Sequence, residues 1–301
     1  MIYTLTFSPA IDYVIYMDGL NKGVTNRSRR EECFPGGKGI NVSIILTALG
    51  VENTALGFVA GFTGEALEKG LKERGVKTDF IHLEEGMTRI NIKIKTDEET
   101  EINTQGAAIP EEKLRQMLKK LNQLKQGDVL ILSGTVPSNL PDNIYEIILN
   151  NLEGRGVQYV VDAGGELLKK ALKFRPLFVK PNKDELEVLN GSEIHTDADL
   201  KAAARQLTEM GAQNVLVSLG GEGAYLLCED GQEYRRKAIV AQVKNTVGAG
   251  DSMVAGFLAG CLAHGDYEKA LKLGVAAGSA TACSEDLATA DKIMEFYQKS
   301  L

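Results

Sequence analysis

The sequence predicts an α/β fold, in which a mostly parallel β-sheet carries helices on both faces. Short apolar segments alternate with segments of helical periodicity along most of the chain. Polar residues cluster directly after several of the predicted strands, as they do at ligand-binding edges of open α/β sheets. With 301 residues, of which 44% are hydrophobic, the chain is long enough to bury one large core.

Predicted strands and helices follow one another in the order that a parallel sheet requires. Apolar runs predict strands at 2–7, 53–59, 129–132, 157–161, 177–179 and 215–219, and an antiparallel edge at 224–227 and 234–239. Helical spacing predicts helices at 42–49, 64–74, 111–124, 143–152, 167–172, 249–263, 267–282 and 291–297. Gly50 and Gly75 follow two of these helices, at the position that a helix C-terminal glycine takes.

Four further β segments do not fit the alternating scheme. They lie at 13–17, 26–33, 88–94 and 100–104, and no helical segment is available to cover them. We expect them to form a small projecting sheet, the lid, from about 13–33 and 88–104. An apolar face without a covering helix has to be buried elsewhere. We therefore predict that the lid packs against a second subunit and that the protein is a homodimer.

Composition excludes several classes of function. The net charge of -7 and the pI near 5.2 disfavour a nucleic-acid-binding surface, which needs a basic face. No apolar run is long enough for a membrane span, and the N-terminus has strand alternation rather than a signal sequence. The cysteines lie far apart, without metal-ligand spacing, at Cys33, Cys228, Cys261 and Cys283. We expect a cytoplasmic protein with reduced thiols.

The most informative stretch is 245–252, which ends in Gly248-Ala249-Gly250-Asp251-Ser252 and runs into a predicted helix. Glycine N–H groups at a helix N-terminus can bind phosphate or a developing oxyanion. Asp251 has two interpretations: a carboxylate that caps the helix, or a general base beside the anion hole. Polar residues after other predicted strands favour the second, and they include Asp12, Ser133, Asp162, 180–185 and 218–223.

These residues carry a resemblance to a known family. Gly36-Gly37-Lys38-Gly39 with Asn41, followed much later by Gly248-Ala249-Gly250-Asp251, resembles the paired signatures of the ribokinase-like sugar kinases, also called the PfkB carbohydrate kinases. Asn182 and Glu185 match the family's Asn-x-x-Glu motif. The resemblance covers essentially the whole chain and implies one kinase domain over 1–301. Two departures, Ser8 and the segment 133–137, affect substrate geometry more than the reaction.

The resemblance implies a role for each matching residue. Asp251 is the implied base, and the N–H groups of Val247, Gly248, Ala249 and Gly250 are the implied anion hole. The implied sugar-binding residues are Asp12, Gly37, Asn41 and Ser133, and the cations for a sugar phosphate are Arg89 first, then Lys38, Arg27 and Arg29. The implied nucleotide-binding residues are Asn182, Lys183, Ser218, Gly220, Gly221, Gly223, Thr246, Val247, Gly248 and Ser279. Glu185 would order Mg²⁺ through water.

Some of these roles have alternatives. Arg29 and the neighbouring Arg30 could equally be solvated charges on the edge of the lid. Lys38 occurs in relatives whose sugars carry no phosphate, so it does not identify the substrate. The implied reaction is ATP-dependent phosphorylation of a ketohexose monophosphate, with the 6-hydroxyl of D-fructose 1-phosphate as the first candidate acceptor. Alternatives are D-tagatose 6-phosphate, fructose 6-phosphate, and a catalytically silent sensor. A dehydrogenase is disfavoured because no GxGxxG follows the first strand.

Overall fold

The computed structural model describes residues 1–239 and 241–299 and contains two β-sheets with helices packed around the larger one. The strands are β1 (Ile2–Thr6), β2 (Ala10–Tyr16), β3 (Arg30–Gly36), β4 (Asn53–Ala60), β5 (Lys77–Thr78), β6 (Ile81–Leu83), β7 (Arg89–Lys95), β8 (Glu99–Asn103), β9 (Val129–Ser133), β10 (Gln158–Asp162), β11 (Phe178–Val179), β12 (Asn214–Ser218), β13 (Ala224–Cys228) and β14 (Glu233–Arg236). The helices are α1 (Lys38–Ala48), α2 (Gly61–Glu73), α3 (Glu111–Leu121), α4 (Ile144–Leu152), α5 (Gly165–Ala171), α6 (Lys183–Asn190), α7 (Asp197–Glu209), α8 (Ala249–His264), α9 (Tyr267–Ala282) and α10 (Ala290–Lys299).

The large sheet is mostly parallel, which confirms the predicted fold class. Its strand order is β14-β13-β12-β11-β10-β9-β1-β4-β5, and β6 also pairs with β4. Pairing is parallel from β12 to β5 and antiparallel from β12 to β14. The central strands are buried on both faces, because helices cover each side, and this explains their nearly continuous apolar sequences.

Side chains at alternate positions of the central strands belong to two separate hydrophobic cores. Along β9, Leu130 and Leu132 join a cluster with α3, α4, α5, α6 and α7, whereas Val129 and Ile131 join one with α1, α8, α9 and α10. This two-residue alternation follows from strand geometry. A third cluster joins the lid strand β2 to the body, where Ile11 packs with residues of α1, α2 and β4.

The lid is the second sheet, with strand order β3-β2-β7-β8. Strands β2 and β7 are parallel, and the other two pairs are antiparallel. The predicted lid segments thus come together, although the first lid strand begins at Ala10 rather than at residue 13. In consequence Asp12 lies within a lid strand, and not after the first strand of the large sheet as expected.

The structure adds two helices that the periodicity analysis did not predict, α6 and α7. Both begin with a capping box, in which the N-cap side chain and the third helical residue satisfy each other's backbone N–H groups. The pairs are Asn182 with Glu185 and Thr196 with Asp199. The edge strand predicted at 234–239 is also shorter, and ends at Arg236.

Helices of the described part of the chain were also compared with the requirements of a membrane span. None combines sufficient length with sufficient apolarity to cross a bilayer.

Candidate active site

A cleft of about 660 Å³ lies between the lid and the ends of the parallel strands. Strand ends, helix N-termini and the lid each contribute to its wall, as expected for an open α/β sheet. The predicted site residues in the wall are Asp12, Gly37, Lys38, Asn41, Arg89, Asn182, Glu185, Ser218, Gly220, Gly221, Gly223, Thr246, Val247, Gly248, Ala249, Gly250, Asp251 and Ser279. Folding therefore brings segments from both ends of the chain around one cavity.

Asp251 lies in the first turn of α8 and contacts the first turn of α1. Its Oδ2 accepts a hydrogen bond of 2.7 Å from Nδ2 of Asn41, and both residues are buried. Gly248 precedes the helix with φ 76°, a left-handed conformation that favours glycine. A Cβ there would lie 2.6 Å from Cδ2 of Leu287. Local sequence and packing thus both require glycine at this turn.

The backbone donors of this turn are fewer than the sequence predicted. The N–H of Val247 donates to Oδ1 of Asn245 at 3.1 Å, and the N–H of Ala249 donates to the carbonyl of Thr246 at 3.3 Å. Of the four proposed donors, Gly248 and Gly250 remain for an anion. A helix leaves the donors of its first turn without intrahelical partners, and its dipole favours negative charge there.

Asp251, which lines the cleft, and the buried Asp162 are two carboxyl groups whose pKa values shift in opposite directions. Burial, reinforced by the negative charge of Asp162, raises the pKa of Asp251 to about 6. Burial would also raise the pKa of Asp162, but the ammonium groups of Lys180 and Lys38 hold it below its ordinary value. Their Nζ atoms lie 3.4 and 3.5 Å from the Asp162 carboxylate oxygens. Asp251 is therefore the carboxyl group suited to exchange a proton near neutral pH.

Lys180 is a site residue that the predicted set did not include. It lies 4% exposed after β11 and lines the cleft next to the α8 turn. A Cβ on Gly250 would approach its Nζ to 3.3 Å, so the ammonium group stands beside the anion-binding backbone. Lys180 was already among the polar residues at 180–185 that follow a predicted strand, and its place two positions before Asn182 was the signal that could have given it a role.

The lid contributes a polar cluster around Asp12. Nδ2 of Asn91 donates to Asp12 Oδ1 at 2.9 Å, and Nζ of Lys93 lies 3.1 Å from Asp12 Oδ2. Asn91 and Lys93 line the cleft, together with Glu101 and Asn103, but none of these four belonged to the predicted site. Alternation along β7 could have added Asn91 and Lys93, because they share a face with Arg89.

Arg89 lies at the start of β7 with its side chain in the cleft wall. Its Nε is buried and has no hydrogen-bond acceptor among the residues that the structure describes. Burial lowers the pKa of the guanidinium, and the carboxylate of Asp12 opposes that shift only in part. An anionic ligand would compensate this buried charge.

Part of the cleft wall is apolar and is formed by α9 and by the segment before α8. Residues of α9 that recur at helical spacing present one face to the cavity, and the C-cap residue Cys283 continues it: Val275, Gly278, Ser279, Ala282 and Cys283. Oγ of Ser279 accepts a hydrogen bond from the N–H of Ile239 at 3.2 Å, which ties the facing loop to the helix. An apolar slot with few polar groups is suited to a flat aromatic base.

Glu185 and Asn182 also line the cleft and add polar groups to its wall. Oε2 of Glu185 accepts from the Asn182 N–H at 2.8 Å, and Oδ1 of Asn182 accepts from the Glu185 N–H at 2.7 Å. The Asn-x-x-Glu motif is thus also the capping box of α6. The described residues contain no group of three or more metal-ligating side chains, so a divalent ion here would need further ligands from phosphate and water.

Four predicted site residues lie outside the cleft. Arg27 and Arg29 are exposed on the segment between β2 and β3, and Arg29 pairs with Asp18 at 2.8 Å. Lys183 pairs with Glu187 at 3.8 Å along the surface of α6. Ser133 ends β9 and is fully buried, because the last residue of this central strand points into the interior. Within one chain these residues do not meet the ligand cavity.

Comparisons with known proteins agree with this geometry. The model of a family described as "pfkB family carbohydrate kinase" matches residues 4–293. A 1-phosphofructokinase from Bacillus subtilis (strain 168) is 41% identical over 98% of this chain and 97% of its own. A D-tagatose-1-phosphate kinase from Bacillus licheniformis is 34% identical over 97% and 96%. The structure of phosphofructokinase-2 from Escherichia coli, in complex with substrates and products, superposes with a TM-score of 0.93 at 30% identity, covering 99% of both chains.

Proposed function

This chain belongs to the pfkB family of carbohydrate kinases, and we propose that it transfers the terminal phosphoryl group of ATP to the 6-hydroxyl of D-fructose 1-phosphate. The observation that carries the proposal is that the buried Asp251, hydrogen-bonded to Asn41, lines one cleft together with the polar lid residues and the apolar slot. In this arrangement a sugar hydroxyl and a nucleotide can approach the same carboxylate within one cleft.

Asp251 acts as the general base of the transfer. Its carboxylate accepts the proton of the sugar hydroxyl as that oxygen forms a bond to the terminal phosphorus, and the bond from this phosphorus to the bridging oxygen of ADP breaks. The N–H groups of Gly248 and Gly250, with the ammonium group of Lys180, stabilise negative charge on the transferred group. Removing one such donor costs on the order of 3 kcal/mol in the transition state.

Arg89 binds the phosphate that the sugar already carries. Its guanidinium can donate two parallel hydrogen bonds to phosphate, and its buried Nε lacks an acceptor in the described chain. D-Fructose 1-phosphate has its phosphate on carbon 1 and a free primary hydroxyl on carbon 6. The sugar can therefore place its phosphate at the lid and its acceptor hydroxyl near Asp251.

Glu185 is the residue that would hold Mg²⁺, through water. Glu185 lines the cleft, and one of its oxygens is committed to the capping box, so a single carboxylate oxygen remains for an ion. Mg²⁺ accepts such a site because it keeps several waters and takes its other ligands from the substrate's phosphates. When bound, the ion would neutralise phosphate charge.

A second candidate substrate is D-tagatose 1-phosphate, because one relative carries the name of that activity at 34% identity. Fructose 6-phosphate and D-tagatose 6-phosphate complete the set to be compared. Steady-state formation of ADP should give the highest kcat/KM with D-fructose 1-phosphate, and the product should be fructose 1,6-bisphosphate. A higher value with another sugar would replace the substrate, and no ADP with any sugar would favour a catalytically silent sensor.

The proposal includes a homodimer formed through the lid. On its outward face, strand pairing puts Cys33, Tyr13, Ile92 and Ile102 in one row across all four strands. The side chains of Tyr13 and Ile102 are 36% and 49% exposed. Cys33 is also exposed and Ile92 is half-buried. A row of apolar side chains that reaches solvent across a whole sheet is typical of an interface, and it supports the pairing of two lids.

A further inference from the structure

The lid strand β7 carries a polar cluster whose function follows from its contacts. Lys93 is only 5% exposed, which is rare for a lysine and requires charge compensation. Asp12 supplies it at 3.1 Å, and Glu101 lies at 4.0 Å. Since two carboxylates already surround its ammonium group, Lys93 is a poor phosphate ligand compared with Arg89, whose Nε has no acceptor in the described chain.

The Asp12 carboxylate is fixed from three sides. Lys93 lies against Oδ2, and Asn91 donates to Oδ1. The backbone of Gly36 packs so closely that a Cβ there would lie 2.6 Å from the Asp12 Cγ. Neither carboxylate oxygen can rotate away without losing a charged or hydrogen-bonded partner, so the directions of its remaining lone pairs are fixed.

Asn91 also offers an acceptor of its own. Its Nδ2 is committed to Asp12, and this leaves Oδ1 buried without a hydrogen-bond partner among the described residues. Asn91 lines the cleft and is 7% exposed. A buried carbonyl oxygen without a donor is costly, and a sugar hydroxyl would satisfy it.

We propose that Asp12, Asn91 and Lys93 form a sugar-recognition triad on the lid, in which Lys93 is a positioning residue that acts through Asp12. Asp12 and Asn91 then accept hydrogen bonds from sugar hydroxyls in fixed directions, and the triad distinguishes ketohexose phosphates by hydroxyl configuration. This inference rests on the proposed kinase function. A site built to pair a hydroxyl discriminates strongly against a substrate that leaves its polar groups unpaired.

A double-mutant cycle tests the triad in the full-length enzyme. We expect Lys93→Met to raise the KM for the sugar phosphate at least about tenfold, with kcat and the KM for ATP changed by less than about threefold. Asp12→Asn should have a similar effect, and the double variant should be no worse than the more severe single variant. Additive effects would show that Lys93 acts independently of Asp12 and would overturn the positioning role.

Matched variants separate recognition from folding. Lys95→Met is the control, because Lys95 lies on the same face of β7 as Lys93 but does not line the 660 Å³ cleft. Its ammonium group pairs with Glu99 at 2.5 Å. Lys95→Met should leave the KM unchanged, and Lys93→Arg should restore most of the affinity. Thermal unfolding and the KM for ATP report whether each variant is folded.

Discrimination between epimers gives a second measurement. D-Fructose 1-phosphate and D-tagatose 1-phosphate differ only in configuration at carbon 4, and the ratio of their kcat/KM values should fall severalfold in Asn91→Ala and in Lys93→Met. An unchanged ratio in both variants would contradict the triad. Failure of the proposed function would be visible in the wild-type enzyme as absent turnover, whereas failure of this inference would be visible only in the variants.

Discussion

Among single residues, Asp251 and Asp162 show how neighbouring charges assign different roles to two buried carboxyl groups. Lys38 and Lys180 both stand against Asp162, so its ionised form is compensated. Asp251 has the neutral amide of Asn41 as its hydrogen-bond partner and experiences the negative charge of Asp162. Burial and the negative charge of Asp162 both raise the pKa of Asp251. For Asp162, burial would raise the pKa, but the two ammonium groups lower it.

The raised pKa of Asp251 predicts the pH dependence of the reaction. The base must be ionised, and a pKa of about 6 means that it is protonated at lower pH. We expect log kcat/KM for the sugar phosphate to rise with unit slope up to about pH 6 and to level off above about pH 7. Initial rates at constant ionic strength across this range would measure it.

The variant Asp251→Asn provides the control for that profile. It should lower kcat by roughly 10² to 10⁴ while sugar and nucleotide affinities stay within a few fold. The phosphate of the sugar itself titrates near pH 6. Calorimetric binding of the sugar phosphate to this variant across the same pH range therefore reports the substrate's own contribution. A nearly fully active variant would mean that another group is the base.

At the scale of elements, the close packing of α8 on α9 fixes the position of the catalytic turn. Added Cβ atoms on Gly256 and Gly260 of α8 would lie within 2.7 Å of α9, at the Leu273 carbonyl and the Ala270 Cα. A Cβ on Gly278 of α9 would lie 3.0 Å from the carbonyl oxygen of Ala249, the first residue of α8. The two helices thus approach each other through glycine, from the helix interior to the active-site end.

We expect Gly256→Val to reduce the free energy of unfolding by roughly 1 to 3 kcal/mol or more, since the new side chain overpacks the α8 and α9 contact. Equilibrium unfolding in urea would measure the loss. Ala202→Val is a matched control, because Ala202 is exposed in the middle of α7 and its change costs only helix propensity, about half a kcal/mol. Equal stability of the two variants would contradict the packing argument.

At the scale of the whole molecule, the lid has an inward face that lines the ligand cleft and an outward face with an apolar row. We expect the wild-type protein to sediment as a dimer at micromolar concentration. The double change Tyr13→Glu and Ile102→Glu should give a monomer, because it places carboxylates in an apolar interface.

The control for the dimer is Val188→Glu, since Val188 is 75% exposed on α6 and distant from the lid strands in sequence. It should leave the sedimentation coefficient unchanged. A wild-type monomer, or a dimer that survives both lid substitutions, would exclude the outward face of the lid as the interface.

Much of this architecture was predictable because its signals are local. Strand and helix periodicity predicted the parallel sheet and the four lid segments, and α6 and α7 could have been added from their capping boxes at Asn182 and Thr196. Alternation along β7 could likewise have added Asn91 and Lys93 to Arg89. Arg27 and Arg29 lie outside the cleft of their own chain, because their residue type indicates phosphate chemistry but does not determine the path of the segment that carries them.

By itself, the sequence determined the fold class and the turn that starts α8, since periodicity and glycine conformation act over a few residues. Only the tertiary structure decided that Asp12 belongs to the lid, that Ser133 is buried, and which carboxyl group is suited to act as the base. The reason is electrostatic and geometric: Asn41 and Asp251 are separated by 210 positions, and their distance, burial and surrounding charges exist only after folding.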